Sequence, residues 1–150
     1  MTWLLLNLIV TWYMVGLIWL IQVVHYPLFA NIPDAAFPAY QLRNTHRTAW
    51  VVIGPMLLEL FSALLLWWLP PPGLSSTLLG TTLGLLVLIW ASTFWLQVPQ
   101  HLRLSERYDS YAQQLLVQTN WIRTLAWTAR GFLLAWALHQ QLQERFSLFF

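Results

Sequence analysis

Four residues, His25, Asn44, Arg47 and Thr48, recur as His101, Asn120, Arg123 and Thr124, each 76 positions later. Trp19/Trp95, Leu20/Leu96, Leu28/Leu104, Ala36/Ala112 and Leu58/Leu134 keep the same offset. A constant offset that runs through an apolar segment, a connection and a second apolar segment marks a duplicated half. The chain therefore folds as two copies of one unit, about 1–73 and 74–150, within a single domain.

The solvent of that fold follows from what the halves are made of. Hydrophobic residues make up 59% of the chain and charged residues 8%, with 11 tryptophans and a mean hydropathy of +0.59. A water-soluble domain of this size could not cover that much apolar surface. Four stretches are long enough to cross a hydrocarbon core of about 30 Å at roughly 1.5 Å per residue. They are about Trp3–His25, Arg47–Leu69, Leu78–Val98 and Trp121–Leu142. The fourth carries Arg123 and Arg130 and is supported mainly by being the repeat partner of the second. The first has no basic leader and no small-residue cleavage site, so it is expected to be retained as a helix. The expected fold is all-α: a four-helix transmembrane bundle of two parallel helical-hairpin repeats, related by a pseudo-two-fold axis along the membrane normal.

Charge gives the orientation. There is no lysine, and Arg43, Arg47, Arg103, Arg107 and Arg123 flank the first and third connections, while Pro70–Thr77 between the halves carries no charge. By the positive-inside tendency, connections 26–46 and 99–120 face the cytoplasm and both termini face outward. The formal charge of +2 and pI near 9.4 do not point to nucleic acid, because the few arginines sit at membrane boundaries and form no basic face. Without cysteine there is neither disulfide nor thiolate ligand.

The repeated polar residues are the candidates for chemistry. His25 and His101 would end the first and third helices at matching depth, where an imidazole can move a proton, ligate a metal or cap a helix end. A histidine pair on symmetry-related helices suits bis-histidine haem ligation, and adding His46 gives a possible three-histidine metal site. Asn44 precedes Arg47, and Asn120 precedes Arg123, by one helical turn, so each pair can share a face. An amide beside a fixed guanidinium suits a phenolate, quinone carbonyl, carboxylate or phosphate oxygen. The bland alternative has the asparagines capping helices and the arginines anchored at headgroups. Gln22 and Gln97, a turn deeper than the histidines, are buried amides in need of partners.

Glu59 and Arg130 lie deeper still. Counted from Arg47 and Arg123, their depths differ by five residues, about 7.5 Å, which an extended arginine spans. They are expected to pair, either to fix helix register or as part of a proton path. Trp3, Trp12, Trp50, Trp67, Trp68 and Trp121 fall near the membrane boundaries. Trp19, Trp90, Trp95, Trp127 and Trp136 lie farther in and serve packing or line a flat pocket.

The run Val98-Pro99-Gln100-His101-Leu102, followed by Thr119-Asn120-Trp121-Ile122-Arg123-Thr124, resembles a VPxN-x-L … W-x-N-x-x-R-T pattern. That pattern belongs to the anthrone oxygenase-like family of four-helix membrane proteins. The first half fits in outline, with Tyr26-Pro27-Leu28, Ile32-Pro33-Asp34, and Asn44 ahead of a helix containing Pro55. The resemblance implies conversion of an anthrone-like substrate to a quinone, without an obligatory cofactor. The chain departs from the pattern at His101, where the family has asparagine.

Three functions follow. One is a membrane enzyme acting on a lipophilic aromatic or quinone-like molecule, with His25 or His101 accepting a proton and Asn44, Arg47, Asn120 and Arg123 holding oxygens. The second is a haem- or metal-binding electron-transfer protein. The third is a structural or assembly subunit of a larger membrane complex or homo-oligomer.

Overall fold

The computed structural model describes residues 1–147, so the last three residues of the second half lie outside it. Helix α1 (Thr2–Leu20) continues through a π-helical turn (Ile21–His25) into two short 3-10 turns (Pro27–Asn31 and Asp34–Ala36). Helix α2 (Phe37–Trp68) returns across the molecule. Helix α3 (Ser76–Ser92) runs through a second π turn (Thr93–Gln97) into α4 (Val98–Glu106), and α5 (Ser110–Ser147) closes the bundle. Among the described residues there is no strand.

Thr2–Asn31, Asp34–Trp68 and Ser76–Glu106 are each long and apolar enough to cross a bilayer. Helix α5 is less apolar because it carries Gln113, Asn120, Arg123, Arg130 and Gln141, all buried. Its polar residues face the other helices, and Leu125, Phe132 and Trp136 face outward. Helix α1 lies against α2 and α5, and the α3–α4 stretch lies against the same two. The backbones of α1 and α3, and those of α2 and α5, are not neighbours among the described residues, so each of these pairs spans a diagonal of the bundle, which only long side chains bridge.

The expected connections 26–46 and 99–120 are far shorter than hydropathy suggests. Helix α2 begins at Phe37, ten residues before the expected start at Arg47, and α5 begins at Ser110 instead of near Trp121. Hydropathy registers where apolar solvent ends, and the helices continue past that point. Pro38 sits in the first turn of α2, where its missing N–H costs nothing. The Asp109 carboxylate accepts from the backbone N–H groups of Tyr111 (2.9 Å) and Ala112 (3.2 Å), capping α5. Asn44 and Asn120 therefore lie inside helices and cap neither.

Local sequence explains two further features. Pro55, inside α2, leaves the carbonyl of Val51 without its usual helical donor, and the Tyr13 hydroxyl donates to it at 3.2 Å. At the opposite end from the termini, Phe29 from the first 3-10 turn and Phe37 from α2 are fully buried in a T-shaped contact at 5.8 Å. Tyr108 meets Phe37 at 4.9 Å, so this aromatic group plugs the connection end and fixes the floor beneath the histidines.

Candidate functional site

A brace at mid-depth joins all four long helices. Arg130 on α5 pairs with Glu59 on α2 at 2.5 Å, both side chains fully buried. The guanidinium also donates to Asn7 Oδ1 (2.7 Å) and to Thr11 Oγ1 on α1, and to the Thr82 carbonyl (3.0 Å) on α3. Glu59 further accepts from Thr11 Oγ1 (2.7 Å) and from the Trp127 indole (3.0 Å). Asn7 donates to the Glu59 carbonyl and to Ser62. Burying a charged pair is tolerable only when the remaining lone pairs and protons are satisfied, and here a partner from each helix satisfies them.

Closer to the connection end, a cavity of about 150 Å³ lies between α1, α2 and α5. Met14, Ile18, Val52 and Trp127 form apolar wall, while His25, Tyr26, Asn44, His101 and Arg123 bring polar atoms to it. Tyr26 is the hub. The π turn places it: its N–H bonds to the Ile21 carbonyl five residues back, and its own carbonyl accepts from Gln113. Gln41, fully buried on α2, donates to His101 Nδ1 at 2.8 Å. That leaves the His101 proton on Nε2, which donates to the Tyr26 oxygen at 3.0 Å. Arg123 Nη2 donates to the same oxygen at 3.4 Å. With its oxygen accepting from two cationic or ring donors, the Tyr26 O–H is free to donate to a guest.

His25 has the complementary state. Its Nε2 donates to Asn44 Oδ1 at 2.9 Å, and Thr48 donates to that oxygen at 3.3 Å. The His25 Nδ1 lone pair has no partner among the described residues. The site thus pairs one unclaimed proton, on Tyr26, with one unclaimed acceptor, on His25.

Arg123 is 6% exposed, and among the described residues no carboxylate pairs with it. Its partners are neutral: Asn120 Oδ1 at 2.5 Å, Gln97 Oε1 at 3.3 Å, Thr93 Oγ1 at 3.4 Å and the Tyr26 hydroxyl. Asn120 in turn donates to Gln22 Oε1 at 2.8 Å, and Gln22 to the Val117 carbonyl at 3.1 Å. Gln97 donates to Thr119 at 2.7 Å. Both glutamines sit on the π turns, which turn their amides toward α5.

The structure joins His101, Asn120, Arg123, Gln22 and Gln97 in one hydrogen-bonded network through Tyr26 and sets the separate His25–Asn44 pair on the same cavity, but the repeat partners do not play equal parts. Arg47 is exposed on α2, away from the cavity, although Arg123 is buried in it. His46 is also exposed; it stands two residues past Asn44, more than half a turn round the helix, with its ring against Trp50. The three-histidine metal site is therefore not formed, and no group of three metal-ligating side chains converges among the described residues. Bis-histidine haem does not fit either. Both ring nitrogens of His101 are engaged, and about 150 Å³ is room for one benzene-sized ring, not a macrocycle.

Sequence reasoning missed Tyr26, Gln41 and Thr93. The adjacency of Tyr26 to His25 was the available signal, but a tyrosine at a membrane boundary carries the same code as an interfacial anchor. No protein-family model, curated protein or solved structure matches the chain.

Proposed function

We propose that the protein is an integral membrane protein of two helical-hairpin repeats whose cavity binds the ring end of a lipophilic phenol, quinone or enolisable ketone and stabilises negative charge on its oxygen. The observation that carries this reading is Arg123, a buried guanidinium without a carboxylate, at the edge of an apolar cavity of ring size. A preorganised cation in a water-poor site is worth most where charge develops on a reacting oxygen. The diagonal placement of α1 and α3, and of α2 and α5, supports the repeat arrangement. The arginine-rich connection end is assigned to the cytoplasm.

In this reading His25 Nδ1 removes the acidic proton, and Asn44 steadies the resulting imidazolium through Nε2–H. Tyr26 donates to the ligand oxygen, with Arg123 and His101 behind it. For the oxygenase-like chemistry that the resemblance implies, the carbanion attacks dioxygen and forms a C–O bond. The proton returns from His25 to the terminal peroxide oxygen, and loss of water leaves a ketone. A CH₂ group and O₂ are thus consumed, giving C=O and H₂O. Cavity volume favours a substrate whose reactive carbon lies on a terminal ring over a three-ring anthrone, whose central ring would stay outside.

The test is calorimetric titration of the detergent-solubilised protein with a decyl-substituted benzoquinone. One saturable site per chain is expected. Val52→Phe, which fills the cavity, is expected to abolish binding, and Val51→Phe, on the exposed side of the same helix, to leave it unchanged. Absence of saturable binding, or equal behaviour of the two variants, sinks the proposal; a stoichiometric protein partner in the native-membrane extract would favour the assembly-subunit reading.

A further inference from the structure

Helix α2 presents a second surface beside the cavity, with Asn44 at the border of the two. Arg43 and Arg47, one turn apart, are both exposed, and neither has a hydrogen-bond or ion-pair partner among the described residues. Like charges at this spacing repel each other in isolation. They edge a groove of about 530 Å³ that also includes Tyr40 and contains no acidic side chain. At helical spacing the same face continues through Trp50, Gly54, Leu57 and Phe61. Trp50 is 77% exposed, and Leu57 and Phe61 are more than half exposed.

Two more depressions, each of about 400 Å³, follow the groove along this helix and share Gly54, where an added Cβ would meet nothing within 4 Å. From Arg47 to Phe61 the stripe runs about 21 Å, enough to cross one leaflet of the hydrocarbon core. The duplicated half supplies an internal comparison. The counterparts of Tyr40 and Arg43 are Leu116 and Thr119; Leu116 is fully buried, and Arg123, the counterpart of Arg47, turns inward. The groove therefore belongs to the first half alone.

We propose that this face of α2 holds one anionic phospholipid, its phosphate bridged by Arg43 and Arg47 and one acyl chain lying along Trp50, Gly54, Leu57 and Phe61. Paired guanidinia match phosphate oxygens in charge and geometry, and the uncharged stripe below matches a chain and nothing polar.

Native mass spectrometry of the full chain in mild detergent, with added phosphatidylglycerol or phosphatidylcholine of equal chain length, tests this. One phosphatidylglycerol adduct per chain is expected to persist where phosphatidylcholine is lost, and millimolar inorganic phosphate is expected not to displace it. The Arg43→Gln/Arg47→Gln variant is expected to weaken retention about 30-fold. Arg103→Gln/Arg107→Gln, with the same loss of charge at the same end, is expected to leave retention unchanged. Gly54→Leu, which fills the two depressions that follow the groove without altering charge, is expected to shorten adduct lifetime and serves if the arginine variant does not fold. Equal loss in both arginine doubles, equal retention of the two lipids, displacement by phosphate alone, or a dimer mass in place of the adduct would each overturn the proposal.

Discussion

Arg130→Met is expected to destabilise the bundle by about 3–5 kcal/mol, the largest effect of any single substitution proposed for this chain. The Glu59 carboxylate would keep Thr11 and Trp127 but lose its counter-charge in a fully buried position, and Asn7 and the Thr82 carbonyl would lose their donor. Glu59→Gln should be costly for the converse reason, since it leaves a buried guanidinium among neutral oxygens. The double variant should recover most of the loss, because two neutral side chains carry no unmatched charge. Unfolding in mixed micelles at increasing SDS fraction measures all three. If the single variants and the double unfold with the parent, the ion pair does not hold the helices together. The brace also touches the cavity through Trp127, which bonds to Glu59 with its indole nitrogen and forms cavity wall with its ring. Breaking the pair should therefore loosen ligand binding as well.

The second large effect separates two residues that the repeat treats as equals. Arg123→Gln is expected to cost about 1.5–3 kcal/mol of stability, as a charged donor is withdrawn from buried oxygens of Asn120, Gln97 and Tyr26. It should also weaken binding of the benzoquinone probe by about tenfold to a hundredfold. Arg123→Lys keeps the charge but loses the planar fork, and should fall between parent and Arg123→Gln. Arg47→Gln, measured without added lipid, should change stability by no more than about 0.5 kcal/mol and leave probe binding intact. Matching losses in Arg47→Gln and Arg123→Gln would mean that the cavity is not the site of recognition.

Much of this arrangement was legible before the fold was known. Apolar runs located the helices, and the depth arithmetic on Glu59 and Arg130 set them within reach of one another, because rise per residue is nearly invariant in a helix. The need of a buried amide for a partner marked Gln22 and Gln97. Helix ends were less legible, since hydropathy registers solvent while Pro38 and Asp109 decide where the backbone starts to coil. The inequality of Arg47 and Arg123 was hidden because identical residues at a constant offset imply identical surroundings only if the neighbouring helices keep the same phase. They do not. Moved back by the 76-residue offset, the second π turn would fall at 17–21, one turn before the first at Ile21–His25.

Those two wide turns have a consequence for the register of the helices that carry them. A π turn holds one residue more than an α turn, so the helix on either side keeps the phase it would have had without the extra residue. Each therefore holds one extra residue without rotating the helix beyond it, and moved back by the 76-residue offset the two lie at different places. The two helices thus differ locally by where one residue is accommodated, and that decides which amide meets α5. Deleting Val23, whose side chain is exposed, is expected to return Ile21–His25 to an ordinary helix while His25 and Tyr26 hold their positions. Retention of probe binding in that deletion would show it, and loss equal to that of Val52→Phe would show that the extra residue itself shapes the cavity.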